Sequence, residues 1–522
     1  MADQKFRVTY ATMSADNEEL QQRFDAAAER VRAELGKTYP IVVNGEERFT
    51  DAVYEERSPI DRDLVIGRYS QASAADVEDA VAAAKAFEVE WDRIGWKERV
   101  RLLRRTADLM EERLFDLAAL MSYEVGKNRL ESLGDVQETA ELVRWNCDAM
   151  EQHEGFRTPM SGLGAPGDYY DVLRPYGVWA IISPFNFPFA LSGGPTSGAL
   201  VAGNPVVLKP SNQGALLGWK LFECLRDAGV PAGAFHFLSG GGAAAGEPLW
   251  RHPDVDGILF TGSYEVGMKI YKDFARDYPK PAICEMGGKN PAIVTKEADL
   301  DVATDGVMRS AFGFGGQKCS ACSRVFVERE VYDEFLRLLV AKTEKLEVGN
   351  PLERSVYLGP VINDRAIETY EEAVAEAKAK GRVLTGGERV TGGDLARGLF
   401  VRPTVVEAPP EASFWSRELF VPFVAVAPFD ALDEAIDRAN ATAFGLTAGF
   451  FSKDRAEIDR WLDRIEAGVV YVNRRAGATT GAWPGVQPFG GWKGSGTSGK
   501  SGGGPYYVTQ FLREQSRTVI EG

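Results

Sequence analysis

Residues 178–209 read VWAIISPFNFPFALSGGPTSGALVAGNPVVLK. Residues 178–182 form a continuous apolar run, 189–203 a helix of small residues, and 205–209 a second apolar run. Two short apolar strands joined by a helical crossover predict a parallel sheet buried on both faces. The pattern continues downstream with helix 214–228, strand 234–238, helix 243–251, strand 257–261, helix 264–276 and strand 283–285. It resumes after residue 290, with strands predicted at 292–294, 324–327, 400–406, 423–428, 448–451 and 468–473 and helices between them. Strands alternating with helices in this way predict an α/β protein of two tandem doubly wound units.

Upstream of this stretch the period is helical. Residues 14–35, starting at Ser14, and residues 73–88, 96–124 and 127–152 carry apolar side chains at helical spacing. The basic face of 96–124 (Lys97, Arg99, Arg101, Arg104, Arg105) reads as a solvated surface. Residues 40–50 read as a hairpin turning at Asn44-Gly45. Residues 155–167, rich in Gly, Pro and Ser, read as a loop or exposed hairpin, and the glycine-rich tail from 487 ends in a strand at 506–512.

Composition narrows the chemistry. The 522 residues are 44% apolar and 26% charged, the balance of an ordinary globular protein, and the length predicts three or four domain-sized units. Lys and Arg number 60 against 76 Asp and Glu, a net charge of −16. That excess argues against a nucleic-acid groove and against docking on an anionic membrane. Five cysteines make an uneven set for disulfides and suit a reducing compartment. The three histidines are scattered, and the single CxxC of Cys319 and Cys322 has no second pair, so no metal site is predicted. The first 15 residues lack an apolar core and no run of 18 apolar residues occurs, so the expectation is a cytoplasmic protein.

Several segments carry reactive or ligand-facing residue types. The turn after the third strand, 239–246, gives GxGxxxG with Gly242 and Gly246, and the next strand ends in Thr261-Gly262-Ser263. Two glycine turns between strands and helices suit a dinucleotide pyrophosphate, and Lys209 with Ser211 lies at the same sheet edge. Cys319 sits among glycines, where a substrate can approach; Lys318 or a helix start would lower its pKa, and the plain alternative is a small buried hydrophobe. Glu285 ends an apolar strand, either as a general base or as the ion-pair partner of Lys289. Asn186 follows a strand, either as an oxyanion donor or as the cap of the next helix.

Taken in order, SPFNFP (183–188), LKPS (208–211), FTGS (260–263), EMGGKN (285–290), GQKCSACSR (316–324), RELFVPF (417–423) and PFGGWKGSG (488–496) resemble the aldehyde dehydrogenase superfamily over about residues 37–517. The resemblance implies Cys319 as nucleophile, Glu285 as hydrolytic base, and Asn186 with the Cys319 amide as oxyanion donors. It places Lys209 near the adenosine ribose, counts Ser211 among the cofactor-binding residues, and puts Ser263 on the pyrophosphate and Glu418 and Phe420 at the nicotinamide ribose and ring. The cofactor implied is NAD. Asn212 stands where a carboxylate usually meets the ribose, which removes repulsion toward a 2′-phosphate and leaves NADP open.

Within the superfamily, GQKCSACSR, Thr480-Gly481-Ala482 and VQPFGGWKGSGTSGKSGGGPYY (486–507) resemble the 1-pyrroline-5-carboxylate dehydrogenase family. That implies oxidation of L-glutamate γ-semialdehyde to glutamate in proline catabolism. Ser320, Gly481 and Ala482 would grip the substrate's α-carboxylate and amine, with Phe187 and Phe489 as walls for its chain. The expected domains are a helical extension (1–36), an NAD(P)-binding domain (37–152 and 177–287), a catalytic domain (288–486) and an oligomerisation segment (153–176 and 487–522). A homo-oligomer is implied, with a proline dehydrogenase as a candidate partner. Rival readings are another semialdehyde or aliphatic aldehyde as substrate, and a non-catalytic structural homologue. Cys322 is either inert or able to trap Cys319 in a disulfide.

Overall fold

The computed structural model describes residues 16–164 and 166–520. The predicted start at Ser14 and the polar N-terminal 15 residues lie outside this range. The first long helix is Glu18–Glu34, capped by Asn17, whose side chain accepts from Leu20 N.

Two seven-stranded sheets form the body of the molecule. In the first, the order is Ala282–Glu285, Gly257–Thr261, Trp179–Ile182, Val206–Lys209, Phe235–Phe237, Ile41–Val43, Glu46–Arg48. The first five strands are parallel; the last two are the Asn44-Gly45 hairpin added antiparallel at the edge. Strand order reverses between Trp179–Ile182 and Gly257–Thr261, so the crevice beyond their carboxyl ends is where an open α/β sheet takes a ligand. The second sheet runs Arg382–Thr385, Thr404–Glu407, Phe423–Phe429, Cys322–Glu328, Asn290–Val294, Thr447–Phe451, Val469–Val472, parallel except at the first strand. The chain passes from Glu285 on the first sheet to Asn290 on the second in five residues, which brings the two sheet edges together. A third sheet of three antiparallel strands is made by Arg157–Pro159, Asp168–Pro175 and Leu512–Val519.

Several local features depart from the sequence reading. The predicted helix 96–124 is two helices, Trp96–Glu112 and Leu114–Val125, broken at Arg113, whose backbone (φ −101°, ψ 11°) leaves the helical region. The second ends at Gly126, left-handed at φ +78°, where an added Cβ would lie 2.7 Å from Pro360 Cγ. Arg99, on the supposed solvated face, is 4% exposed and donates to Val201 O, Trp91 O and Asp92 O, locking two helices together. On the rest of that face Arg101 pairs with Glu98, Arg104 with Asp148 and Glu151, and Arg105 with Glu112, while Lys97 lies over the Trp96 ring. The strand predicted at 506–512 begins only at Leu512, because Val508–Phe511 turns as a 3-10 helix and buries Phe511 against Trp179. The helix predicted at 243–251 is a wide turn, Gly242–Gly246, followed by Glu247–Trp250. Among the described residues no helix is long and apolar enough to cross a membrane.

Candidate active site

Glu285 is the last residue of strand Ala282–Glu285, and the tail segment 495–497 lies against that strand as an extra edge. Met286 N donates to Ser495 O, Thr497 N to Cys284 O, and Cys284 N to Thr497 Oγ1. The strand end is therefore held on both sides, since Gly262 N also donates to Glu285 O. Burial pushes the Glu285 carboxyl up to about 8, and its Oε2 has no hydrogen-bond partner. Lys289 is not its ion-pair partner: burial and Arg324 lower that amine to about 7, and its Nζ is itself unpartnered. A carboxyl kept near neutrality and left free on one oxygen is suited to moving protons.

The turn that carries Cys319 packs directly on the Glu285–Asn290 connection. A Cβ on Gly288 would come within 2.4 Å of Cys319 O, so glycine is required at that approach. Asn290 Nδ2 donates to Cys319 O at 2.7 Å and to Ala321 O at 2.9 Å, and Asn290 Oδ1 accepts from Thr447 N at 3.0 Å. One amide thus fixes the backbone of the reactive turn from the neighbouring strand. Burial raises the Cys319 thiol to about 12, and the charges of Glu418 and Glu285 add to that rise; the backbone amides of Ser320 and Cys319 oppose it. Lys318 does not activate the thiol as the sequence suggested. Its ammonium is engaged by Glu131 on helix Arg129–Gln152 in a short ion pair. Cys322 opens the strand Cys322–Glu328, is buried, and donates to Arg324 O; both cysteines are free.

Asn186 is buried in the turn after strand Trp179–Ile182. It does not cap the following helix, Ala190–Ala202, whose N-cap position is Phe189. The helix start is held instead by Asp135, which accepts from Ala190 N at 2.9 Å and pairs with the fully buried Lys127 at 2.7 Å. Lys127 Nζ lies 3.6 Å from the centroid of the Phe187 ring and 5.0 Å from that of Phe314. The Phe185 ring meets Phe420 edge-on at 5.9 Å. Helix Arg129–Gln152 therefore braces both turns, through Glu131 on the Cys319 turn and Asp135 at the end of the Asn186 turn. Glu138, one turn further on, is pushed up to about 8 by burial and by the charge of Asp135.

Lys209, Thr261, Gly262 and Ser263 stand at the carboxyl ends of strands of the first sheet, as does the glycine turn 239–246. Lys209 Nζ is buried, donates to Pro210 O and Gly240 O, and is lowered to about 8 by burial. A Cβ on Gly241 or Gly242 would meet nothing within 4 Å, whereas Gly246 packs on the Lys209 stem. Ser263 follows Thr261-Gly262 as the N-cap of helix Tyr264–Asp273 and accepts from Val266 N. Ser211 Oγ accepts from Gln213 N, and the adjacent Asn212 Oδ1 is buried without a partner. Glu418 Oε1 accepts from Gly288 N at 2.9 Å, and its carboxyl is raised to about 7 by burial. A water-sized cavity lies between Gly288, Lys318, Cys322, Glu418 and Phe420, so the Glu418 loop and the Cys319 turn share one space.

The loop 477–482 is strapped by Arg474. Its guanidinium donates to Gly477 O, Thr480 O and Gly481 O, drawing those carbonyls to one side. Gly481 is left-handed at φ +111°, and a Cβ there would strike Arg474. The amides of Thr480, Gly481 and Ala482 donate to nothing among the described residues. Thr479 Oγ1 donates to Ser320 O at 2.6 Å, tying the loop to the Cys319 turn. Phe489 pairs with Gly502 through two backbone hydrogen bonds in the tail.

A model of the aldehyde dehydrogenase family matches residues 47–516. The chain belongs to the aldehyde dehydrogenase family. A 1-pyrroline-5-carboxylate dehydrogenase of Geobacillus sp. (strain WCH70) is 38% identical over 504 residues, 95% of this chain and 96% of that one. The crystal structure of 1-pyrroline-5-carboxylate dehydrogenase from Thermus with bound NAD superposes with a TM-score of 0.92 at 35% identity, covering 99% of both chains. Proline utilization A from Bdellovibrio bacteriovorus matches at 36% identity and a TM-score of 0.90, over 95% of this chain and 51% of that longer one. Around the cysteine of this aldehyde dehydrogenase stand supporting residues that sequence reasoning passed over: Asn290, Arg474, Asp135, Lys127, Glu131 and Glu138. Asn290 lay inside the quoted EMGGKN run; the others had no local signal, because their partners are distant in sequence.

Proposed function

We propose that this protein oxidises L-glutamate γ-semialdehyde, the open form of 1-pyrroline-5-carboxylate, to L-glutamate with NAD as hydride acceptor. The observation that carries this reading is the Thr479–Ser320 bond, which ties the nucleophile turn to the strapped glycine loop. A reactive thiol held at a fixed offset from free backbone amides suits a short substrate with an aldehyde at one end and a carboxylate at the other. Ser320, Gly481 and Ala482 take the α-carboxylate and amine; Phe187 and Phe489 flank the aliphatic chain.

The residues of the crevice fit a dinucleotide. Open space at Gly241 and Gly242, the capping Ser263 with Thr261 and Gly262, and a buried Lys209 with no carboxylate partner offer room and donors for phosphates and ribose. Ser211, Gly242 and Gly246 line the adenosine side, and Glu418 and Phe420 hold the nicotinamide end. Cys319 passes its proton to Glu285; this neutralises one of the two charges that oppose the thiolate, and Sγ attacks the aldehyde carbon. The Asn186 amide and the Cys319 backbone N–H receive the oxyanion. NAD, when bound, would supply the acceptor for the hydride that leaves as the thiohemiacetal becomes a thioester. Glu285, having lost its proton to solvent, then takes one from water, and the resulting hydroxide cleaves the thioester to the acid and free Cys319.

The first seven-stranded sheet, with 37–152 and 177–287, serves as the NAD-binding domain, and 288–486 as the catalytic domain. The antiparallel sheet of 153–176 and 487–522 is the oligomerisation segment of a cytoplasmic homo-oligomer, and a proline dehydrogenase supplies the substrate. Steady-state rates with 1-pyrroline-5-carboxylate, succinate semialdehyde and hexanal test the substrate. The expected order places 1-pyrroline-5-carboxylate first in kcat/KM; faster turnover of either competitor overturns the assignment. Arg474→Met should raise KM for 1-pyrroline-5-carboxylate about 10- to 100-fold and leave hexanal nearly unaffected, since only the anchored substrate needs the ordered loop. An equal loss for both would show that Arg474 serves the fold alone.

A further inference from the structure

Helix Ala215–Asp227 starts at Gly214, which has no side chain to cap it. Its first amides are met from outside by carboxyls of two other elements. Gly214 N donates to Glu56 Oε1 at 2.9 Å, Leu216 N to Glu124 Oε1 at 2.6 Å, and Leu217 N to Glu124 Oε2 at 3.2 Å. Glu56 comes from strand Val53–Arg57 and Glu124 from the end of helix Leu114–Val125; both are buried. Glu56 Oε2 has no donor.

Around the pair stand Tyr54 and Tyr69, whose rings stack at 5.2 Å, and Tyr39, which stacks on Tyr69 at 5.5 Å. Glu223 of the capped helix and Glu34 of the first helix add negative charge near Tyr39. Among the described residues no lysine, arginine or histidine forms a hydrogen bond or ion pair with either carboxyl. Burial and the neighbouring Glu124 hold the Glu56 carboxyl well above the usual range, and burial pushes Glu124 up to about 7. Two buried carboxylates without a cation between them cannot both stay ionised.

We propose that Glu56 and Glu124 share a proton and form an external cap that positions the 209–214 turn for the adenosine end of the dinucleotide. The inference rests on the dinucleotide reading above. The turn carries Lys209, Ser211 and Asn212, and its exit is set at Gly214, left-handed at φ +137° and close to Pro188. With the proton in place, one carboxyl donates to the other and all three amides are met. At alkaline pH the proton is lost, two like charges face each other, and the cap and turn loosen. The pair positions; it touches no reacting atom.

The test combines calorimetric titration of NAD with infrared spectroscopy of the whole protein. Glu56→Ala should weaken NAD binding at neutral pH about five- to tenfold. Glu56→Gln should restore most of it, because the amide still accepts from Gly214 N and supplies its own N–H to Glu124. Raising the pH from 7 to about 9.5 should weaken binding to the native protein about fivefold more than to Glu56→Gln. Lys209 titrates in both and cancels from that comparison. The infrared difference, native minus Glu56→Gln, should show a carboxylic-acid band at neutral pH; the acid bands of Glu285 and Glu138, present in both proteins, cancel from it. Native binding with the same pH slope in Glu56→Gln, or no such band, overturns the inference and leaves the dinucleotide reading standing. Failure of the native protein to bind NAD overturns that reading too.

Discussion

Cys319→Ala is expected to abolish NAD reduction with 1-pyrroline-5-carboxylate, a loss of at least about 10^4-fold in kcat, because the Ser320 hydroxyl beside it is a far weaker nucleophile and the Cys322 thiol is buried and turned to Arg324 O. The loss should come without loss of fold, since the turn is held through backbone carbonyls by Asn290 and Thr479 rather than through the thiol. The native thiol rests protonated, raised to about 12 by burial and two nearby carboxylates. Alkylation of the free enzyme by iodoacetamide should therefore be slow at neutral pH and accelerate steadily as pH rises. Fast alkylation at pH 6 would show that a preformed thiolate exists and that the burial argument is wrong. Undiminished turnover in Cys319→Ala would remove the nucleophile assignment altogether.

The second large effect belongs to Glu285→Gln. Steady-state turnover should fall about 10^2- to 10^4-fold, the usual range for a lost general base. A slowed burst of NADH approaching one equivalent per subunit should remain, since acylation needs only a proton acceptor for the thiol and water can serve poorly in that role. The pH dependence follows from the carboxyl raised to about 8. The active base is the ionised form, which accumulates above that value, so native turnover should rise with pH through about 8 and then level. Glu285→Gln has no such group and should lose that limb of the profile. A variant that keeps the native profile would assign hydrolysis to another base.

Much of this architecture is legible in the sequence because its signals are local. The buried parallel strands are short apolar runs, and the switch point follows from their order once the sheet forms. Asn186, Glu285 and Cys319 each sit at a strand end or in a glycine turn, which the amino-acid types announce. What escapes is what depends on distant partners. Arg99 reads as a surface arginine until the carbonyls of Val201, Trp91 and Asp92 enclose it. Lys318 reads as the activator of the adjacent thiol, yet Glu131, far upstream, engages its ammonium. Arg474 stands a few residues before the loop it straps, with nothing in its neighbours to show that it gathers three carbonyls. The break at Arg113 hides for a different reason: the apolar spacing continues across it, and only the backbone turn separates the two helices. Val508–Phe511 reads as a strand because its residues are β-formers, but burying Phe511 on Trp179 requires the tighter turn.

The central claim is that Cys319 carries the substrate as a thioester that Glu285 helps to hydrolyse. Acid-quenched mass spectrometry of Glu285→Gln, mixed with 1-pyrroline-5-carboxylate and NAD, tests it most directly. The account predicts a γ-glutamyl group on the peptide containing Cys319, in step with the NADH burst and absent when NAD is omitted. A burst with the adduct on another residue, or with no adduct on the chain, would contradict it.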